Sequence, residues 1–203
     1  MTMKDIKREI KEVFIKNSGY SSLKELLKMK VQTSYIKTLL DENLIEKVKP
    51  GLYKLVDYDY DNLSSYIEIC KANTSAVICT ISALAYYELT IQNSYIIDVA
   101  IPNDRKPNKI IYPPVKYHYF REAMYRLGIA EVKTQGGSFR IYDKEKTICD
   151  IFRNRRFYGE EILIECLKEY LKTKEKNINK LYEYARLCRV EKNLFQYIKI
   201  ISG

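Results

Sequence analysis

The hydrophobic residues near the start of the chain recur at intervals of three or four. Within residues 4–16 they are separated by lysines and glutamates, and they comprise Ile6, Ile10, Val13 and Phe14. This spacing is typical of an amphipathic helix with one buried face. Ser22 and Glu25 then form the S-x-x-E pattern of a capping box, which predicts that a second helix begins at this point.

A third helix is predicted to start at Thr33 or Ser34 after a short polar turn. Its buried face would comprise Ile36, Leu39 and Leu40. At about 100° per residue, other side chains of this helix then face outward or lie on its flanks. They offer short hydroxyls, one aromatic ring and one cation, a set suited to base edges and phosphates in a major groove: Thr33, Ser34, Tyr35, Lys37 and Thr38.

Alternating apolar residues on either side of Pro50-Gly51 predict a β-hairpin over residues 44–55. We call this hairpin the wing. It carries three cations that would lie near a DNA backbone, namely Lys47, Lys49 and Lys54. Three helices followed by a basic hairpin predict a winged helix-turn-helix domain in residues 1–56 that binds double-stranded DNA. The alternative is a winged helix that serves only protein interactions, since fold does not dictate function.

Beyond an acidic linker at residues 57–62, the pattern predicts one α+β domain in residues 63–203. The apolar run from Ala76 to Leu89 favours a helix. Strands are predicted at residues 95–101 and 115–120, a hairpin over 129–142, and helices over 144–155, 160–172, 178–188 and 192–201. The predicted fold class is therefore α+β: a winged helix-turn-helix, then a mixed α/β domain with a small, mostly antiparallel sheet and a helical C-terminus.

The net charge of +9 is unevenly distributed along the chain. Residues 1–56 hold 12 Lys and Arg against 7 Asp and Glu, whereas residues 57–100 hold 1 against 6. Clustered cations favour a polyanion such as nucleic acid, although a lysine-rich composition alone could give the same total. A second basic cluster is either a solvated helix face or a contact surface for nucleic acid or an acidic partner: Lys144, Lys146, Arg153, Arg155 and Arg156.

The residues that commonly carry chemistry do not form a recognisable constellation. Five cysteines without a C-x-x-C pair suit reduced, buried thiols, and the single histidine, His118, argues against a zinc site. Glu145 and Asp150 are five positions apart on one predicted helix, so their side chains diverge. No phosphate-binding or nucleophile motif is present. We therefore expect no enzyme, metal or cofactor, and a cytoplasmic protein with no signal peptide and no membrane partner.

Several short segments together resemble the AbiEi-type antitoxins, which are transcriptional regulators of type IV toxin–antitoxin systems in abortive phage infection. After the predicted winged helix, the chain has ICTISALAYYELT at Ile78–Thr90, VAIPNDRKP at Val99–Pro107 and FRIYDKEKTICDIFRNR at Phe139–Arg155. Within these lie the family's characteristic patterns at Ser82–Leu84, Ile101–Pro102 and Tyr142–Asp150. The segment Cys166–Val190 is also similar to that family.

The resemblance implies a bacterial protein with two roles. Its N-terminal domain would repress its own operon by binding inverted repeats in the promoter, with two copies on the paired half-sites. Its C-terminal domain would counteract a nucleotidyltransferase-like toxin without forming a tight complex with it. The alternative is a stand-alone winged-helix regulator whose second domain senses a small ligand, which requires an apolar pocket with a few polar groups.

Overall fold

A computed structural model describes residues 3–110 and 112–202 of the chain. The chain folds into two compact units. The first comprises the residues up to Thr74 together with 108–113 and 133–139, and the second comprises the remainder. The predicted boundaries at residues 56 and 62 both fall within the sequence of the first unit.

The first unit combines four helices with a three-stranded antiparallel sheet. Its elements are α1 Met3–Lys16, β1 Tyr20–Ser22, α2 Leu23–Lys28, α3 Thr33–Asp41, β2 Ile45–Lys49, β3 Leu52–Leu55 and α4 Ser64–Ala72. The strands lie in the order β1-β3-β2, with Ile45 opposite Leu55 and Tyr20 opposite Lys54. The apolar positions predicted for α1, α2 and α3 meet in one core that includes Phe14, Leu26 and Leu39.

The start of α2 is fixed by the predicted capping box. The Ser22 hydroxyl accepts a hydrogen bond from the Glu25 amide at 3.2 Å. The Glu25 carboxylate in turn accepts one from the Ser22 amide at 2.7 Å. Two amides that the helix itself cannot satisfy thereby gain acceptors, which is why the helix begins where it does.

The second unit contributes strands to a five-stranded sheet and packs five longer helices into one core. Its elements are β4 Val77–Ile78, α5 Thr80–Tyr86, β5 Ile97–Pro102, β6 Val115–Phe120, α6 Glu122–Arg126, β7 Ile129–Thr134, β8 Gly137–Tyr142, α7 Lys144–Arg153, α8 Glu160–Lys172, α9 Ile178–Leu187 and α10 Glu191–Ser202. The tip of the β7–β8 hairpin lies in the sequence of the first unit. The protein is thus mixed α+β with a helical C-terminus, as predicted.

The strands of this sheet lie in the order β6-β5-β4-β8-β7 with mixed pairing. β4 pairs antiparallel with β5, but the β4–β8 and β5–β6 pairs are parallel. A parallel pair needs a crossover instead of a tight turn, and residues 103–114 supply one between β5 and β6. The sheet of residues 63–203 was predicted to be mostly antiparallel, but its pairing is mixed. The sheet in the first unit is antiparallel throughout.

Two segments differ from the predicted elements. The run Ala76–Leu89, for which one helix was favoured, contains the short strand β4 before helix α5. The break lies at Cys79 and Thr80, where Thr80 has a positive φ of 45°. Helix α6 was not predicted. In the described part of the chain, no helix is both long and apolar enough to cross a membrane.

Candidate nucleic-acid interface and a buried polar cluster

Helix α3 exposes most of the polar side chains that were predicted to face DNA. Thr33, Ser34 and Lys37 are exposed, while Tyr35 and Thr38 are half-buried. The Thr38 hydroxyl donates a hydrogen bond to the Ser34 carbonyl at 3.3 Å, so it is engaged within the helix. The buried side of the helix holds Ile36 and Leu39, as the spacing predicted.

The N-terminus of α3 has no side-chain cap. Gln32 occupies the capping position with extended backbone and makes no side-chain hydrogen bond to the helix. The first amides of the helix therefore lack a side-chain acceptor from Gln32, and the partial positive charge of the helix dipole lies at this end, which suits an anion. At the other end Glu42 accepts a hydrogen bond from Lys7 at 2.6 Å, and this bond raises the pKa of Lys7. The positive end of α3 is thus the one that carries Thr33, Ser34 and Lys37.

The three wing lysines differ in their surroundings. Lys47 is exposed, whereas the Lys49 ammonium donates to the Ala72 carbonyl at 2.8 Å. The Lys54 ammonium lies between Glu46 at 2.8 Å and Glu68 at 2.9 Å. Burial lowers the pKa of Lys54, but the hydrogen bonds to the two carboxylates outweigh it and the pKa stands above its ordinary value.

These contacts hold Lys49 and Lys54 against α4, which supplies Ala72 and Glu68 and lies well beyond the hairpin in sequence. The phosphate contacts expected of these two lysines stay a prediction.

Two further cations were missed by the sequence reasoning. Lys24 and Lys28 lie on the exposed side of α2, where they border an open concavity of about 600 Å³ with Leu23, Leu27 and Gly51. Four positions apart on a helix, the two lysines share one face. The same helical counting that was applied to α3 would have found them.

The second predicted basic cluster separates into buried and exposed members. Lys146 has no exposed surface and Lys144 is bound to Glu175 at 2.9 Å. Arg153, Arg155 and Arg156 are exposed. This corrects the predicted surface, from which Lys146 is withdrawn because its partner Asp150 lies one helical turn further along α7.

Lys146 is held in a closed polar cluster inside the second unit. Its ammonium lies 2.5 Å from Asp150 Oδ2 and faces the rings of Tyr142 at 4.2 Å and Phe120 at 4.7 Å. Burial raises the pKa of Asp150, and the charge of Lys146 opposes that shift. Asp150 Oδ1 is buried without a hydrogen-bond partner among the described residues. Gly128, at φ +71°, packs against this lysine so closely that a Cβ there would lie 2.6 Å from Lys146 Cβ.

Other titratable groups of the second unit also have separate partners. His118 Nε2 lies 2.6 Å from Asp98 Oδ1, and the Asp98 amide donates to the Ser82 hydroxyl at 2.9 Å. Glu145 accepts a hydrogen bond from the Tyr170 hydroxyl at 2.6 Å, away from Asp150. No three histidine, cysteine or acidic side chains converge as metal ligands within residues 3–110 and 112–202. These contacts hold the side chains of His118, Asp98, Glu145 and Tyr170 in fixed positions within the second unit.

A comparison with known protein families found no match, and a comparison with curated proteins found none either.

Proposed function

We propose that the first unit binds double-stranded DNA by placing the N-terminal half of α3 in the major groove. The observation that carries this proposal is the exposed set of Thr33, Ser34 and Lys37 at an uncapped, electropositive helix end. Hydroxyls and a cation can meet base edges, and outward-facing amides can meet a phosphate. Helix-turn-helix proteins present the second helix of the motif in this way.

The elements around α3 support a winged helix-turn-helix. Helices α1, α2 and α3 are followed by the β2–β3 hairpin, whose strands join β1 in one antiparallel sheet. Lys47 on the wing, and Lys24 and Lys28 on α2, would contact the sugar–phosphate backbone, which positions the protein without reading sequence.

Within this proposal the protein is a transcriptional repressor of its own operon and an antitoxin. The family resemblance supports both roles, with the second unit counteracting a nucleotidyltransferase-like toxin without a tight complex. Two copies on paired half-sites would give the affinity that a single small domain lacks.

Fluorescence anisotropy with a labelled fragment of the chain's own promoter tests DNA binding. Lys37→Ala and Lys47→Ala should each weaken binding and reduce the slope of log affinity against log salt by about 0.9. Lys174→Ala, an exposed lysine of the second unit, is the matched control. A wild-type chain that does not bind the fragment at low salt would refute the proposal, and unchanged slopes would remove Lys37 and Lys47 from the interface.

Co-expression with a neighbouring nucleotidyltransferase-like gene tests the antitoxin role. Relief of growth arrest by the full chain, including the Lys37→Ala variant, would separate this role from DNA binding. Lack of relief, combined with release of DNA by a small molecule, would instead favour the ligand-sensing regulator. Two buried tyrosines of the second unit already have hydrogen-bond acceptors within the protein. Tyr142 donates to the Tyr125 carbonyl at 2.8 Å, and Tyr170 donates to the Glu145 carboxylate.

A further inference from the structure

The last residue of α7 and the segment that follows it present arginines and an aromatic ring. Arg153, Arg155 and Arg156 are exposed, and Phe157 is 86% exposed. We call residues 153–158 the Arg-Phe loop. An isolated exposed apolar residue is ordinary on a protein surface, but an exposed ring within four positions of three exposed arginines is a specific combination.

The backbone of the Arg-Phe loop is held by hydrogen bonds. The Asn154 amide and side-chain nitrogen both donate to the Asp150 carbonyl at 3.0 Å. The Phe157 amide donates to the Asn154 carbonyl at 2.8 Å. Tyr158, the next residue, packs against the helical core. Because Tyr158 points inward, the turn holds Phe157 outward, so a partner that stacks on this ring meets a surface that is already ordered.

The positive charge of the loop is available to a partner. None of its three arginines forms an ion pair with another residue of the described chain. The nearby carboxylates are partly engaged: Asp150 is bound to Lys146, and Glu160 accepts a hydrogen bond from the Tyr197 hydroxyl at 2.9 Å. Glu161, the next residue along the chain, is exposed.

We propose that the Arg-Phe loop is a binding site for single-stranded nucleic acid. Arginines contact phosphates, and an exposed ring offers a stacking face to a base. In a duplex the faces of the bases are already stacked on one another, so Phe157 matches an unpaired strand better than double-stranded DNA. An acidic polypeptide would use the arginines but would gain little from the ring. This site differs in place and in ligand from the duplex-binding surface proposed for the first unit.

The absence of tryptophan from the chain makes a direct test possible. Phe157→Trp introduces a single indole at the proposed stacking position. Titration of this full-length variant with a single-stranded oligouridine should quench its fluorescence as bases stack on the ring. A blunt DNA duplex of equal length should quench it far less.

Two loop variants and one control then assign the binding to the loop. Phe157→Leu keeps an apolar side chain but removes the stacking face, and it should weaken oligouridine binding about tenfold. The double variant Arg155→Glu with Arg156→Glu should abolish binding at moderate salt. Lys174→Glu with Lys176→Glu makes the same charge change at two other exposed residues of the second unit and should bind nearly as well as wild type.

The outcomes separate this proposal from its rivals. Absence of quenching, or equal oligouridine affinity for wild type and both loop variants, would overturn it. Loss of oligouridine binding in the arginine variant with full binding by Phe157→Leu would also overturn it, because binding would then rest on phosphate contacts that a duplex offers equally. Adding Lys37→Ala to Phe157→Trp should leave quenching by oligouridine unchanged, so failure of the DNA-binding proposal and failure of this one are distinguishable.

Discussion

At the scale of single residues, Lys146 shows how this chain accommodates a charge inside its core. An isolated buried ammonium is costly, but this one has a carboxylate partner and two aromatic faces. The Asp150 carboxylate depends on the lysine in return, since each partner compensates the charge of the other. Removing one member of such a pair lowers the stability of the fold more than replacing both members by apolar residues does.

Lys146→Met should lower the free energy of unfolding by about 3–5 kcal/mol, because it leaves Asp150 buried without its counter-charge. Urea denaturation followed by circular dichroism measures this loss. Lys144→Met, at a lysine whose partner Glu175 is exposed, should cost less than about 1 kcal/mol.

The combined change Lys146→Met with Asp150→Leu should recover much of the lost stability, since no unpaired charge remains. If Lys146→Met costs no more than Lys144→Met, the buried pair does not have the role described for it.

The sequence predicted whether a side chain is exposed or buried where the spacing within one helix determines it. It did not do so where a residue distant in sequence determines it. The exposed positions of Ser34 and Lys37 follow from the apolar spacing of α3. The position of Lys54 depends on Glu68 of α4, and the burial of Lys146 depends on rings from β6 and β8. Sequence spacing alone places a lysine at the surface, so the burial of Lys146 was not predicted.

At the scale of elements, the capping box of α2 links local sequence to helix stability. The hydrogen bond from the Ser22 amide is the largest contribution that lowers the pKa of Glu25. A carboxyl whose pKa is lower in the folded state stabilises the fold above its unfolded pKa of about 4.3. That contribution disappears as the pH falls through the lower, folded value.

Ser22→Ala should reduce the free energy of unfolding by about 1 kcal/mol at neutral pH, because the Glu25 amide loses its acceptor. Glu25→Gln should be less stable than wild type at neutral pH and approach it at an acidic pH below the lowered pKa of Glu25, where the wild-type carboxyl is protonated. Denaturant titrations at the two pH values provide the measurement, with Glu9→Gln on the exposed face of α1 as the control. A difference that is the same at both pH values would contradict the pH argument.

Long periodic elements were predictable, and so was the hairpin marked by Pro50-Gly51, but the two shortest strands were not. The spacing located α8 at its observed bounds and placed α7, α9 and α10 within two residues. β1 and β4 contain only three and two residues, too few to show alternation, and they exist because neighbouring strands pair with them. Parallel pairing of β5 with β6 likewise depends on a crossover, which apolar spacing does not encode.

At the scale of the whole molecule, the burial of the five cysteines reflects how tightly the surrounding side chains pack in each unit. Cys79, Cys149, Cys166 and Cys188 are buried, and only Cys70 is partly exposed. Burial raises the pKa of Cys79 and raises that of Cys166 to about 12. A thiol in that state is slow to react, since the thiolate is the nucleophile.

A chromogenic thiol reagent at pH 8 should therefore modify about one cysteine of the native chain quickly and the other four only upon unfolding in denaturant. Cys70→Ser should remove the fast phase and leave the slow reaction unchanged. Rapid modification of several thiols in the native protein would contradict the packing of the second unit.

Gly128 has a consequence for how this protein can vary over evolution. Its backbone conformation disfavours other residues, and the space that a side chain would need is already taken by Lys146. An alanine at this point would place its Cβ 2.6 Å from Lys146 Cβ, an atom that a shorter side chain would also have, so the backbone itself would have to shift and would move Lys146 relative to Asp150. Lineages that preserve the Lys146–Asp150 pair should therefore also preserve this glycine, so that the three positions are inherited together.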